Sequence, residues 1–196
     1  MRVLLALLVL APQAAFAQAV EQPFVGARIG LGLAGAQNHF EGEITDLRTG
    51  LTQVIEPAGY GVLGDVSLGY DLRIAPRVIL GGEAALQAGG ASVSYQLPEL
   101  GISRSPRFAY TLTARLGYVP LRRVLVYAGG GYGEDYQRLR TRGNVDAAAL
   151  SNGVNRSFLL SAGMEYALGR HLALRGEFQH LDNSRNALRV GAQLRF

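Results

Sequence analysis

Charged side chains at alternate positions among apolar residues are the main chemical resource of this chain. Nine fall in the middle of alternating segments: Arg28, Asp65, Glu83, Arg115, Glu165, Arg175, Glu177, Arg189 and Arg195. Five are arginine and four are acidic. They could line a pore or a proton path, or they could pair with one another. The near balance of positive and negative charges favours a paired network, because an unpaired ion in a narrow interior costs several kcal/mol.

His180 begins a second segment with catalytic potential, HLDNS at 180–184. A serine nucleophile needs a base within hydrogen-bond reach and a group that orients the base. The segment resembles the His-x-Ser-Asn segment of the outer-membrane lipid A deacylase family, which supplies a catalytic His and Ser. Asp182 stands at the Ser position and Ser184 is displaced by two residues. We therefore expect no catalytic residue here and interpret His180 as a histidine at the rim.

Two glycine-rich segments and one acidic segment could bind ligands. Residues 30–35 match G-x-G-x-x-G, but the amphipathic helix that a dinucleotide site requires does not follow. Residues 129–133 lack the Gly-Lys-Ser/Thr ending of a phosphate loop. The segment 39–56 combines His39 with spread carboxylates, which we expect to be solvated. We expect no cofactor and no metal.

The composition indicates an apolar solvent. Hydrophobic residues make up 48% of the 196 residues and charged residues 17%, whereas about a quarter of a soluble domain is charged. There is no cysteine, which excludes disulfides and cysteine-bound metals. The net charge of +4 is spread along the chain, so no nucleic-acid partner is expected.

The first residues predict a secretory signal peptide. Arg2 precedes an apolar run at 3–11, and Ala15-Phe16-Ala17 fits a cleavage site. The run is far shorter than the ~20 apolar residues of a membrane-spanning helix. We expect a leader at 1–17 and one mature domain at 18–196.

Alternation with period two dominates the mature chain and predicts eight strands. They are 24–34, 59–71, 77–88, 108–119, 123–135, 156–168, 171–180 and 187–196. Each approaches the ~9–11 residues with which a tilted strand crosses a bilayer. Short turns at 74–76, 120–122 and 168–170 alternate with longer segments at 35–58, 89–107, 136–155 and 181–186. Short turns on one side and long loops on the other are typical of outer-membrane barrels.

The two faces of these strands differ in charge and in aromatic content. At mid-strand positions one face carries no charged residue, and all nine mid-strand ions lie on the other. Aromatic residues mark both ends of the uncharged face: Tyr70, Tyr118, Tyr166 and Phe196 near the short turns, and Tyr60, Tyr110, Tyr132, Phe158 and Phe178 near the long loops. Two aromatic belts favour a membrane barrel over a soluble lipocalin-like barrel. We predict an all-β, eight-stranded antiparallel up-and-down transmembrane β-barrel, whose interior is filled by side chains.

The segments FVGARIGLGLAG, VYAGGGYG and SAGMEYALGRHLALRGEFQHLDNSRNALRVGAQLRF carry a family resemblance. The chain resembles the small outer-membrane β-barrel proteins of Gram-negative bacteria, the porin-like or opacity-type surface proteins related to OmpA/OmpX-type barrels. That resemblance implies that the terminal aromatic Phe196 is the signal read by the barrel-insertion machinery. Members of this family include structural proteins, adhesins and antigens.

Arginines near the ends of the predicted strands are candidate lipopolysaccharide contacts, because guanidinium groups bind phosphate through two parallel hydrogen bonds. They are Arg104, Arg107, Arg138, Arg140, Arg142 and Arg156. The alternative is a set of solvated loop charges.

We expect a monomeric outer-membrane protein with a closed charged lumen that serves envelope integrity or adhesin-like surface contact. The expected partners are outer-membrane lipids and lipopolysaccharide, the barrel-insertion machinery, and a host or surface ligand bound through the segments 35–58 and 136–155. A lipid A deacylase-like enzyme and a small-solute channel are the alternatives.

Overall fold

The computed structural model describes residues 23–39, 42–46, 50, 52–55, 58–90, 92–96, 101–142, 145–146, 154–182 and 185–196. The predicted leader at 1–17 lies outside these residues. Within the described ranges, no helix has the length and apolar character needed to cross a membrane.

Strands make up nearly all of the described chain. In chain order they are β1 (Gly26–His39), β2 (Gly42–Asp46), β3 (Thr52–Ile55), β4 (Ala58–Ala75), β5 (Val78–Gly89), β6 (Val93–Gln96), β7 (Gly101–Leu121), β8 (Val124–Arg142), β9 (Val145–Asp146), β10 (Val154–Ala167), β11 (Leu172–Leu181) and β12 (Arg185–Arg195).

Eight of these strands form a closed antiparallel barrel, as predicted. Their order is β5-β4-β1-β12-β11-β10-β8-β7, and β7 pairs back onto β5. The first and last strands are neighbours: Leu31 of β1 faces Ala192 of β12. Beyond β12, the backbone N–H of Phe196 donates to Ala27 O at 2.9 Å. Closure leaves the barrel without an open sheet edge.

The remaining strands lie at the long-loop end. β6 pairs with the start of β7, and β2 pairs with both β3 and β9 in a separate small sheet. Here the structure differs from the prediction, because β7 begins at Gly101 rather than at 108 and β8 continues to Arg142 rather than ending at 135. Pairs such as Ser103 with Arg140 continue the hydrogen-bonded ladder. Above a bilayer, water contacts both faces of a hairpin, so apolar alternation no longer marks a strand.

The two faces of the barrel wall have the predicted orientation. Side chains of the apolar row point outward, and Val62 of β4 and Val190 of β12 are 66% and 59% exposed. A continuous apolar outer band is an unfavourable surface in water and a favourable one in lipid.

The barrel interior contains an apolar cluster at each end. At the turn end Phe24, Ile79, Val119, Leu125, Tyr127 and Ala167 pack together. At the loop end Ala34, Ala36, Leu63 and Ala187 pack together. Most of the ionic side chains lie between these clusters, and Arg185 and Asp135 lie farther toward the loops.

Candidate functional sites: the lumen ion network and the outward arginine surface

All nine predicted lumen ions lie inside the barrel, and none is more than 7% exposed. Alternation along each strand determines their inward orientation. How they pair depends on strand register and on the stagger around the barrel, which bring together residues far apart in sequence. Arg189 and Asp65, for example, are 124 positions apart and form an ion pair.

The turn-side half of the network is built around Asp71, which is fully buried. Its carboxylate accepts hydrogen bonds from Arg28 Nε at 3.0 Å, Arg115 Nη2 at 2.6 Å and Arg195 Nη1 at 2.9 Å. Glu165 accepts from Arg115 Nη1 at 2.5 Å and also from Arg195. Two carboxylates therefore share two arginines, and a third arginine completes the set.

Glu83 joins this half to the middle of the lumen. Its Oε2 accepts from Arg28 and from Arg175 Nη1 at 2.6 Å, and its Oε1 accepts from Arg189 Nη1 at 3.0 Å. Arg189 also donates through Nε to Asp65 Oδ1 at 2.8 Å.

Glu177 forms the next layer of the network. It accepts from Arg175, from the Tyr127 hydroxyl at 2.6 Å and from Gln179 Nε2 at 2.6 Å. Tyr127 thus joins the turn-side apolar cluster to the ionic layer.

Arg185 extends the network to the loop end. It donates to Asp135 Oδ1 at 3.3 Å and to Gln87 Oε1 at 2.6 Å. Gln87 in turn donates to Gln179 at 3.1 Å. Hydrogen-bonded groups thus run without a break from Asp71 near the turns to Asp135 near the loops.

Several members of this network are absent from the predicted set: Asp71, Gln87, Tyr127, Asp135, Gln179 and Arg185. Asp71 stands at the last position of its predicted strand, and Arg185 precedes the predicted start of its strand at 187. Extending the period-two row of Asp65 by three steps reaches Asp71, so this signal was present in the sequence.

The six candidate lipopolysaccharide residues lie at the loop end of β7, β8 and β10. Arg107, Arg138, Arg140 and Arg156 have exposed side chains. Arg104 and Arg142 are paired by their backbones with Leu139 and Gly101. The side chains of Arg104 and Arg142 lie outside the described part of the structure. By backbone position the arginines follow one hairpin and the neighbouring strand.

Glu134, absent from the predicted set, organises the lower edge of this surface. It lies between Tyr110 of β7 and Arg156 of β10 in one cross-strand row. Arg156 Nε donates to Glu134 Oε1 at 3.0 Å, and the Tyr132 hydroxyl donates to the same oxygen at 2.8 Å. Hydrogen bonds from the Tyr110 and Tyr132 hydroxyls hold the pKa of Glu134 below its usual range. A signal for Glu134 existed, since it follows Tyr132 by two residues on the outward row.

The other motifs lie in barrel strands. His180 is exposed, and its Nδ1 lies 2.7 Å from Asn186 Oδ1; Ser184 lies outside the described residues. Residues 30–35 run within β1 and residues 129–133 within β8. A strand, rather than a loop that leads into a helix, is therefore found at both glycine-rich segments. The acidic side chains at 41–56 lie outside the described part of the structure. Among the residues that the structure describes, no three His, Asp or Glu side chains are grouped so that they could hold a metal ion.

A closed barrel with an apolar outer band and an ionic interior defines an integral β-barrel protein of the outer membrane. The chain belongs to the family described as outer membrane protein beta-barrel domain, which matches residues 3–196. The protein is therefore located in the outer membrane.

Two curated relatives and two solved structures illustrate the similarity. The 31 kDa outer-membrane immunogenic proteins of Brucella melitensis biotype 1 and Brucella suis biovar 1 are each 30% identical over 131 residues, which cover 62% of this chain and 54% of the relative. The chain thus spans about half the length of the curated relatives that it matches. The outer membrane protein OprG from Pseudomonas aeruginosa has 12% identity and a TM-score of 0.55, covering 91% of this chain and 99% of its own. Neisserial surface protein A has 13% identity and a TM-score of 0.50, covering 87% and 99%. At these identities the two structures show a common fold.

Proposed function

We propose that the protein is a non-enzymatic, non-conducting outer-membrane barrel that serves envelope integrity and surface contact. The observation that carries this proposal is the occupied lumen, where a hydrogen-bonded ion network lies between two apolar clusters. Because side chains fill the lumen of such a barrel, its outer wall and its extracellular end are the surfaces available for contact with lipids and ligands.

The ion network argues against a small-solute channel. A permeating ion would have to separate buried pairs such as Arg115 with Glu165 or Arg189 with Asp65. Breaking a buried pair costs about 3–5 kcal/mol, and several pairs lie along the axis. Thermal motion would open such a path rarely.

The extracellular end supports the surface-contact part of the proposal. β7 and β8 continue past the apolar band, and β6 pairs with the start of β7 at this end. Loops on a rigid scaffold are the usual place for binding specificity. The Brucella relatives are named as immunogenic proteins, which is consistent with an exposed antigen. The exposed arginines support contact with lipopolysaccharide phosphates, which would contribute to envelope integrity.

Conductance and binding of the mature chain test the two parts separately. In planar bilayers we expect no discrete conductance steps, and regular steps would refute the closed lumen. Deleting 147–153 from the long β8–β10 connection should abolish attachment of expressing cells to host surfaces, while heat-dependent gel mobility shows that the barrel still forms. A matched deletion of Asp182 and Asn183 in the shorter loop is the control. Undiminished attachment after the long-loop deletion would contradict adhesion through that loop.

A further inference from the structure

We propose that the outward face of β7, β8 and β10 holds a binding site for the phosphorylated head group of an outer-leaflet lipid, with Arg156 as the phosphate-binding residue. This inference rests on the proposed lipopolysaccharide contact and gives it a defined place on the barrel wall.

Three successive cross-strand rows build the site. The lowest row is Leu112, Tyr132 and Phe158; the middle row is Tyr110, Glu134 and Arg156; the upper row is Phe108, Tyr136 and Val154. Leu112 and Phe158 are 53% and 76% exposed on the outer wall. The lowest row therefore continues the lipid-contacting band, and the first outward charges appear one row above it.

Glu134 positions Arg156 for contact with a phosphate. The Arg156 side chain is 69% exposed, whereas that of Glu134 is only 9% exposed. The carboxylate is held by Tyr132 at 2.8 Å and by Tyr136 at 3.4 Å, and it accepts the Arg156 Nε–H at 3.0 Å. One edge of the guanidinium is thus fixed against the wall, while the group as a whole stays open to the membrane interface. Guanidinium groups donate two parallel hydrogen bonds to phosphate, a geometry that an ammonium group does not reproduce.

Aromatic rings border the arginine on its upper side. Phe108 and Tyr136 stack with ring centroids 4.4 Å apart and an interplanar angle of 17°, and Tyr110 lies 6.3 Å from Tyr136. Flat aromatic faces are favoured at the boundary between hydrocarbon and water. Farther up the outward row of β8, Arg138 and Arg140 are exposed and could contact further anionic groups of the same head group.

The order of the rows selects an amphipathic ligand. Acyl chains would contact Leu112 and Phe158, the phosphate would reach Arg156, and the rest of the head group would lie against Tyr136 and Arg138. A soluble polyanion would leave the lowest row unused. A phosphorylated glycolipid and an anionic glycerophospholipid share the phosphate chemistry, so an experiment must separate these two sources.

Native mass spectrometry of the mature chain, refolded in zwitterionic micelles, would measure lipid retention. The probes are diphosphorylated lipid A, the same lipid A without phosphates, and phosphatidylglycerol. The variants are Arg156→Gln and Arg156→Lys, and the control is Arg122→Gln at an exposed turn residue on the opposite end of the barrel. Heat-dependent gel mobility confirms that each variant is folded.

We expect diphosphorylated lipid A to bind, its dephosphorylated form to bind much more weakly, and Arg156→Gln to reduce the affinity about five- to tenfold. Arg156→Lys should reduce the affinity nearly as much, because lysine keeps the charge but not the two parallel hydrogen-bond donors. An Arg156→Lys affinity equal to that of the original chain would overturn the positioned contact. Equal retention of phosphatidylglycerol would support the phosphate site and assign it to lipid phosphate in general. Binding of lipid A that neither Arg156 variant reduces would refute this site and leave the broader lipopolysaccharide contact standing. No retention of any phosphorylated lipid would overturn both.

Discussion

The buried pair of Arg115 and Glu165 offers the sharpest test of the ionic interior. The two changes are Arg115→Met, which keeps most of the stem and removes the charge, and Glu165→Gln, which keeps the shape and removes the charge. The double variant completes a thermodynamic cycle. Both side chains are almost fully buried, at 3% and 0% exposure.

The expected magnitude follows from the partners that each change leaves behind. Arg115 donates three hydrogen bonds of 2.5–3.1 Å to Asp71 and Glu165. Removing one partner of a buried pair costs about 3–5 kcal/mol. Asp71 keeps Arg28 and Arg195 after Arg115→Met, so we expect a loss near the lower limit, about 3 kcal/mol. The double variant should lose about 1–2 kcal/mol less than the sum of the single losses, because the second change removes a charge that is already under-paired.

Urea titration of the barrel in phosphatidylcholine vesicles would measure these free energies of unfolding. The folded fraction can be read from gel mobility without boiling. Arg122→Met, at an exposed turn, is the matched control and should change stability by less than about 0.5 kcal/mol. If both single variants match the control, the paired network contributes no stability; if their effects are large but strictly additive, Arg115 and Glu165 are not coupled. Either result refutes the reasoning.

Three further predictions concern other parts of the barrel. Gly163→Val should lower the unfolding free energy by about 2 kcal/mol in the same titration, because a Cβ at Gly163 would lie 2.6 Å from the Tyr127 hydroxyl. Gly64→Ala should leave the unfolding free energy unchanged, because no atom lies within 4 Å of a Cβ at Gly64. Equal effects of the two substitutions would contradict this packing. Phe196→Ser should reduce insertion in cells, measured as protease-resistant barrel, but should not reduce spontaneous refolding into vesicles; a loss in both would indicate a structural role. Since the pKa of Glu134 is lowered, the contribution of this carboxylate to stability should be complete above the usual carboxyl pKa, about 4.3, and should disappear as the pH falls through the lowered pKa. Glu134→Gln should abolish this part of the pH dependence of stability. If the same pH dependence persists in the variant, it arises from another group.

Alternation was sufficient to predict the eight barrel strands and the direction of their side chains. A bilayer imposes one solvent on the outer wall, so a single charge on the wrong face costs about 2–4 kcal/mol. This penalty keeps the pattern regular from Val62 to Val190. The strength of the signal is therefore a consequence of the lipid environment.

The alternation of apolar and polar residues no longer predicts strands beyond the edge of the lipid bilayer. At the loop-end extensions of β7 and β8, Ser103 faces Arg140 and Ser105 faces Arg138. Polar residues suit both faces there, and the backbone ladder continues through these residues. Glu134 lies at this boundary, which explains why an outward carboxylate is compatible with the fold and why period-two reasoning did not select it.

Ion-pair partners in the lumen could not be derived from alternation. A period-two pattern shows that a side chain points into the barrel, but it does not show which side chain of another strand lies next to it. Arg195 and Asp71 lie 124 positions apart and meet across the interior at 2.9 Å. Such a contact depends on the tilt and stagger of the closed barrel. The near balance of lumen charge, by contrast, was readable from the mid-strand positions of the alternating rows, which hold five arginines and four acids.

The distribution of lumen charge along the chain makes the final hairpin essential for neutrality. Among the buried lumen side chains, the strands from β1 to β10 carry five acids and two arginines, whereas β11 and β12 carry four arginines and one acid. The first group is Arg28, Asp65, Asp71, Glu83, Arg115, Asp135 and Glu165, and the second is Arg175, Glu177, Arg185, Arg189 and Arg195. At these buried positions the strands before β11 hold three more carboxylates than arginines, and the arginines of β11 and β12 supply the missing partners. Arg189 meets Asp65, and Arg195 meets Asp71 and Glu165, only when β12 closes onto β1. These ion pairs favour the closed barrel, and they stabilise it independently of the terminal aromatic ring of Phe196.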